Sequence, residues 1–215
     1  IKTMDIYMTV LQDNGTWIGP SSVWKAGGIR NQEWQEILFG DGFDAMPHAD
    51  NNRFAYAMYQ GGNLYSVDRV TGEDQFIKPM HPEGLPLRFN WNSALAQDPF
   101  NKAGIYYGSQ HLHYSPDHGN TWQLLSPDLT SSDTSKLKQG DSGGLTLDAT
   151  NAENHCTIIA IAPSAKEQGV VWVGTDDGKL QLTRDGGKTW EKLSDRLPDF
   201  PKGAWIPQIE VSAHH

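Results

Sequence analysis

Residues 115–122 read S-P-D-H-G-N-T-W, and residues 183–190 read T-R-D-G-G-K-T-W. Both satisfy one pattern, S/T-x-D-x-G-x-T-W. The likeness extends beyond the box. Upstream, I-Y-Y-G before the first copy lies over V-W-V-G before the second; downstream, T-W-Q-L-L-S-P-D-L lies over T-W-E-K-L-S-D-R-L. A pattern repeated at this distance requires a fold made of similar supersecondary units, each burying its apolar face against its neighbours.

A weaker third copy precedes these two. Met46 and Pro47 lead into N-N-R-F-A-Y-A and then G-G-N-L-Y-S-V-D-R-V-T-G-E-D, with Asp68 and Gly72 as remnants of the box. Each unit reads as an inner strand, a Pro/Asn turn, a second strand, a Gly/Asp hairpin, a third strand, an Asp-bearing hairpin and a fourth strand. Repeated four-stranded antiparallel units predict an all-β chain folded as a β-propeller.

The expected organisation is a single partial propeller over 1–215. Residues 1–33 are the end of one blade, 34–80 a degenerate blade, and 87–130 the first box-bearing blade. Residues 131–152 form a loop insertion, 153–200 the second box-bearing blade, and 201–215 the start of another. That is about three blades with a partial blade at each end. Such an arc leaves open sheet faces. The expected partners are therefore further blades of the same polypeptide or partner chains that complete the ring.

The composition suits short strands and tight turns: 22 Gly, with 8 Trp, 7 Tyr and 7 Phe to fill the spaces between sheets. The net charge is −9, and no basic stripe marks a nucleic-acid partner. No apolar run is long enough to span a membrane as a helix. The single cysteine, Cys156, lies in the apolar run H-C-T-I-I-A-I and reads as a buried thiol.

Each box residue has a local task. Asp117 and Asp185 can accept backbone N–H groups across their own turns, Ser115 and Thr183 open those turns, and Thr121 and Thr189 close them. Gly119 and Gly187 supply positive φ. Trp122 and Trp190 fold back to bury a large ring. Chemistry required alike in each copy reads as scaffold. The pattern resembles the Asp-box, or bacterial neuraminidase repeat, of sialidases, xyloglucanase-type glycoside hydrolases, sortilin-type receptors and photosystem-assembly-factor-like propellers. The run V-W-V-G-T-D-D-G-K-L-Q-L-T-R-D-G-G-K-T-W, with L-Q-D-N-G-T-W near the start, resembles large secreted bacterial repeat proteins of sortilin-like or glycosyl-hydrolase-like type. That resemblance implies a propeller and a bacterial secreted, periplasmic or cell-surface setting. It does not supply an activity.

Propellers bind ligands at the mouth of the central channel, so function is sought on the inner strands. Three are placed by the prolines that follow them, Pro47, Pro99 and Pro163. Asp41 aligns there with Ser93 and Thr157. Arg88, Asn90 and Asn92 share one strand face, Phe89 and Trp91 the other, and Glu153 shares a face with His155. The expected mouth carries Arg88, Asn90, Trp91 and His155 as ligand-binding groups. Asp41 and Glu153 are the acid–base pair that a glycosidase would need.

Several chemistries are missing from the pattern. Asp13, Asp176 and Asp177 sit in D-N-G and D-D-G hairpins and read as turn residues. There is no calcium loop, no zinc-ligand spacing around His111 and His113, and no cofactor motif. L-R-F-N at 87–90 does not match the Phe/Tyr-Arg-Ile-Pro motif of sialidases. Ser142, in G-D-S-G-G, has no paired His/Asp context for a nucleophile. The leading expectation is a non-catalytic propeller segment that binds protein or glycan at the channel mouth. The alternatives are a xyloglucanase-like glycoside hydrolase and a structural scaffold within a larger assembly.

Overall fold

The protein is described by a computed structural model covering residues 6–137, 152 and 154–212. Among the described residues, fifteen strands form four antiparallel sheets. The first sheet has three strands, β1 (Ile6–Leu11), β2 (Gly15–Pro20) and β3 (Gln35–Leu38), in that order. The second holds β4 (Gly42–Pro47), β5 (Phe54–Tyr59), β6 (Asn63–Asp68) and β7 (Asp74–Phe76). The third holds β8 (Leu95–Gln97), β9 (Ile105–Gly108), β10 (Leu112–Ser115) and β11 (Gln123–Leu124). The fourth holds β12 (Ile158–Pro163), β13 (Val171–Thr175), β14 (Leu180–Thr183) and β15 (Glu191–Lys192). Each is a meander in which sequence neighbours pair.

The strand order matches the repeat closely. β3 pairs with β2, however, so the first sheet runs past the boundary expected at 33/34. Beyond the last sheet, residues 201–212 form no strand. Ile206 nonetheless donates its N–H to Thr175 O at 3.0 Å and sits against Gly174. Ile158 stands in the same relation to Ser109 O, at 2.8 Å, and to Gly108. Ile206 thus repeats the contact that begins the fourth sheet.

The apolar core lies between sheets. Tyr56, Met58, Leu64, Phe89, Ile105 and Tyr107 form one cluster joining the second and third sheets. Leu112, Leu129, Ile158, Val171 and Val173 form another joining the third and fourth. Burial of this surface is the main force holding neighbouring sheets together.

The boxes reinforce those junctions from the periphery. Asp117 accepts Thr121 N at 2.8 Å, Thr121 Oγ1 at 2.8 Å and Ser115 Oγ at 2.9 Å; Asp185 accepts the same three groups from Thr189 and Thr183. Burial pushes the Asp117 carboxyl up, but the hydrogen bonds from Thr121 and Ser115 outweigh it and hold the carboxyl below its usual range. For Asp185, the bonds from Thr189 lower it to about 2. Each tryptophan then reaches back to the preceding sheet, Trp122 Nε1 donating to Ile77 O at 2.8 Å and Trp190 Nε1 to Leu125 O at 3.3 Å. Gly187, at φ +93°, leaves no room for a side chain: a Cβ there would lie 2.4 Å from Leu125 O. In the second sheet Asp68 keeps the turn role by accepting Val70 N, yet its carboxylate also pairs with Arg53 across β5 and β6.

Candidate functional site

Segment 87–91 is the centre of the candidate site. The alternation expected along it depends on an extended strand, but β8 starts only at Leu95. Its residues instead adopt an irregular path across three sheets, and so Arg88, Asn90 and Asn92 do not share a strand face. Phe89 anchors the segment. It is buried, stacks on Tyr107 with ring centroids 5.6 Å apart, and packs so closely on Gly62 that a Cβ there would lie 2.3 Å from the ring. Asn90 O accepts Gly61 N, and Arg88 N donates to Gln110 Oε1 at 2.7 Å.

The polar side chains converge on the fourth sheet. Arg88 Nη2 reaches Asp128 Oδ2 at 2.7 Å while its Nε donates to Cys156 O at 3.3 Å. Asn90 Nδ2 donates to Asp176 Oδ2 at 2.8 Å. Thr157 donates its N–H to Asp176 Oδ1 at 2.9 Å and its hydroxyl to Oδ2 at 2.7 Å. His155 Nδ1 stands 3.7 Å from Asp176 Oδ1, and its Nε2 is buried with no hydrogen-bond partner. Cys156 is a buried thiol, as its sequence setting suggests, and burial pushes it up.

Burial raises the pKa of Asp176 and wins over its hydrogen bonds from Thr157 and Asn90. For the adjacent Asp177, burial raises, but hydrogen bonds from Thr175 and Ser131 prevail and lower it. Asp128 behaves like Asp177, its burial outweighed by Ser132, Thr130 and Arg88. Neighbouring carboxyls driven in opposite directions are a feature of acid–base sites. Here both members of the pair are buried and fully hydrogen-bonded inside the fold. Neither can deliver a proton to an external group without leaving those partners.

Of the expected acid–base pair, Asp41 alone falls among the described residues. Asp41 Oδ1 accepts Asp13 N at 2.7 Å and thereby fastens the β1–β2 hairpin, whose Asp13 has φ +61°. Glu153 lies outside the described residues. The half-buried Trp91 ring meets that of Phe43, with centroids 6.0 Å apart. Arg88, Asn90 and His155 are therefore brought together around Asp128 and Asp176, while Trp91 meets Phe43 of β4. Sequence reasoning missed Asp128, Asp176 and Gln110. Asp176 was masked by its D-D-G setting, which is also a turn signal, and Asp128 by a local D-L-T turn.

No protein-family model and no curated protein matches the chain. Solved structures do. The β-propeller domain of Cps50 (Swd1) from Myceliophteria thermophila matches 97% of this chain and 56% of its own, with a TM-score of 0.54 at 14% identity. The extracellular domain of BT4673 from B. thetaiotaomicron matches 97% of this chain and 25% of its own, with a TM-score of 0.52 at 16% identity. The chain has a β-propeller fold. A GH74 xyloglucanase from Xanthomonas campestris also matches, with a TM-score of 0.45 at 14% identity over 80% of this chain and 25% of that one. At these identities the likeness concerns the fold alone. The chain spans between a quarter and 56% of the length of these three structures. Among the described residues, no helix is long and apolar enough to cross a membrane.

Proposed function

We propose that this chain is a non-catalytic propeller segment of Asp-box type that binds a glycan or protein ligand at the channel mouth through Arg88, Trp91 and His155. The supporting observation is that the polar groups of the site are already ordered by the fold. Arg88 is fixed by Asp128 and Cys156 O, and Asn90 by Asp176, while the Trp91 ring remains half-exposed beside Phe43. Rigid, pre-oriented polar groups next to an aromatic face suit binding, because little freedom is lost when a ligand arrives. An aromatic face with adjoining donors favours a sugar ring over an extended peptide.

The Asp-box reading is supported by the two copies of the pattern, in which Asp117 and Asp185 accept the same hydrogen bonds from Thr121 and Thr189. A bacterial secreted or cell-surface setting agrees with the extracellular origin of one of the neighbours. Completion of the ring by further blades or partner chains belongs to the same reading.

The hydrolase alternative needs two carboxyls flanking an accessible bond. Asp41 is committed to Asp13 N, and Asp176 is buried beneath its partners. The folded chain is therefore expected to leave xyloglucan intact while retaining ligand on a glycan array. Sugar release that Asp41→Asn or Glu153→Gln abolishes would reverse this reading. No retention on glycan or peptide arrays by folded protein would favour the scaffold alternative.

A further inference from the structure

The Asp-box turn of the third blade differs from its companion at one telling position. Between the box Asp and Gly, the fourth blade has Gly186 at φ +72°, whereas the third has His118 at φ +59°. Left-handed backbone is unfavourable for a residue with a Cβ and natural for glycine. The chain thus holds an imidazole where its own second repeat shows that glycine serves.

That imidazole reaches the preceding blade. His118 Nε2 lies 3.3 Å from Asp50 Oδ2, and the His118 ring faces His48, with centroids 4.4 Å apart. One nitrogen from each histidine and one Asp50 oxygen all lie within 4.8 Å of one another. His48 and Asp50 come from the β4–β5 connection of the second blade, so the group straddles a blade–blade junction. We propose that His48, Asp50 and His118 form a site for a divalent transition-metal ion of the zinc class, pinning the second blade to the third.

The chemistry of the set fits such an ion. Two imidazoles and a carboxylate are ligands for zinc and its neighbours, and a hard ion such as calcium would demand oxygen donors. The other nitrogen of each ring already has a partner: Tyr56 OH at 2.7 Å from His118 Nδ1, and Ser66 Oγ at 3.2 Å from His48 Nε2. Metal-bound histidines characteristically have their second nitrogen held in this way. Nε2 of His118 and Nδ1 of His48 are left to meet an ion beside the Asp50 carboxylate. Asp50 and His118 are partly exposed, which gives an ion a route in. The two rings stand 5° from parallel, so their in-plane lone pairs do not converge as they lie. Capture requires the His118 ring to turn away from His48, exchanging a ring stack for coordination. Tyr56–His118–Asp50 also has the order of a nucleophile, base and orienter, but Tyr56 is buried and cannot meet a substrate.

Cobalt(II) is the direct probe, since it substitutes for zinc and absorbs visible light when bound by nitrogen ligands. The full chain at pH 7.5 is expected to bind about one Co²⁺ with micromolar affinity. His118→Gly installs the residue of the second box, so the turn is retained, and it should weaken binding about 10-fold or more. Asp50→Asn, on an exposed side chain, should weaken it similarly. Circular dichroism confirms that each variant is folded. Absence of cobalt binding by the folded wild type overturns the proposal. So does binding that either variant leaves unchanged, which would put the ion elsewhere, for example on the adjacent His214 and His215.

Discussion

Asn90 Nδ2 donates to the buried carboxylate of Asp176 across 2.8 Å, joining residues 86 positions apart. The bond ties the irregular 87–91 segment to the fourth blade and completes the donor set of a carboxyl that burial has already raised. Asn90→Ala removes one of its donors. Net stability is expected to fall by about 1–3 kcal/mol, the range for depriving a buried polar group of a partner. Urea unfolding at neutral pH checks the cost, and titration of the Asp176 carboxyl carbon by NMR should show a further rise.

The boxes offer a paired comparison. A Cβ on Gly187 would meet Leu125 O at 2.4 Å, whereas one on Gly186 meets nothing within 4 Å. Both have positive φ. Gly186→Ala should therefore cost only the backbone term, about 1 kcal/mol. Gly187→Ala should add an overpacking cost of about 1–3 kcal/mol. Equal losses in urea denaturation would show that the box turn does not press on the preceding blade.

Blade stacking depends on small residues at fixed places. A Cβ on Gly108 would lie 2.7 Å from Ile158 Cγ2, and one on Gly174 would lie 2.6 Å from Ile206 Cγ2. Gly108→Ala is expected to destabilise by about 1–3 kcal/mol. Ile158→Ala removes Cγ2, the atom nearest the added Cβ, so the double variant should be destabilised by less than the sum of the two single losses. A double-mutant cycle reads the coupling, and strict additivity would contradict the contact.

Acid stability should follow His113, which is buried against Trp122 and hydrogen-bonded to Ser109 Oγ at 2.8 Å. Burial, with smaller contributions from His111 and His81, lowers its pKa from 6.5 to about 3. The folded state keeps this ring neutral while the unfolded chain takes a proton below pH 6.5. Its contribution is thus full above that value and is lost as pH falls toward 3, by up to roughly 5 kcal/mol. Asp176, raised in the fold, acts in the opposite sense and is stabilising only at the acid end. Comparing wild type with His113→Gln isolates the histidine. The variant should lose less stability between pH 6.5 and pH 4.

The propeller was legible because its repeats carry local signals: box turns, Gly/Asp hairpins and alternating strands. Asp117 and Asp185 were read as scaffold, and their hydrogen bonds are those of a self-contained turn. The polar cluster was legible only in part. Arg88 bonds Asp128, and Asn90 and His155 face Asp176, two acids that local turn chemistry had accounted for. Strand periodicity failed at 87–92 because Phe89 is drawn into the core between two blades, pulling the backbone out of the extended form. His48, Asp50 and His118 escaped notice for another reason. Their proximity arises from blade stacking, and no sequence spacing encodes it.

Calorimetric titration of a glycan retained on the array tests the central claim most directly, comparing wild type, Trp91→Ala and Asp117→Ala at a temperature where all three are folded. Trp91→Ala is expected to bind at least about 10-fold more weakly, from loss of an aromatic contact. Asp117→Ala, at the outer turn, should bind as wild type does. Unchanged affinity in Trp91→Ala, or its loss in folded Asp117→Ala, would contradict the proposed site around Trp91 and point to the boxes instead.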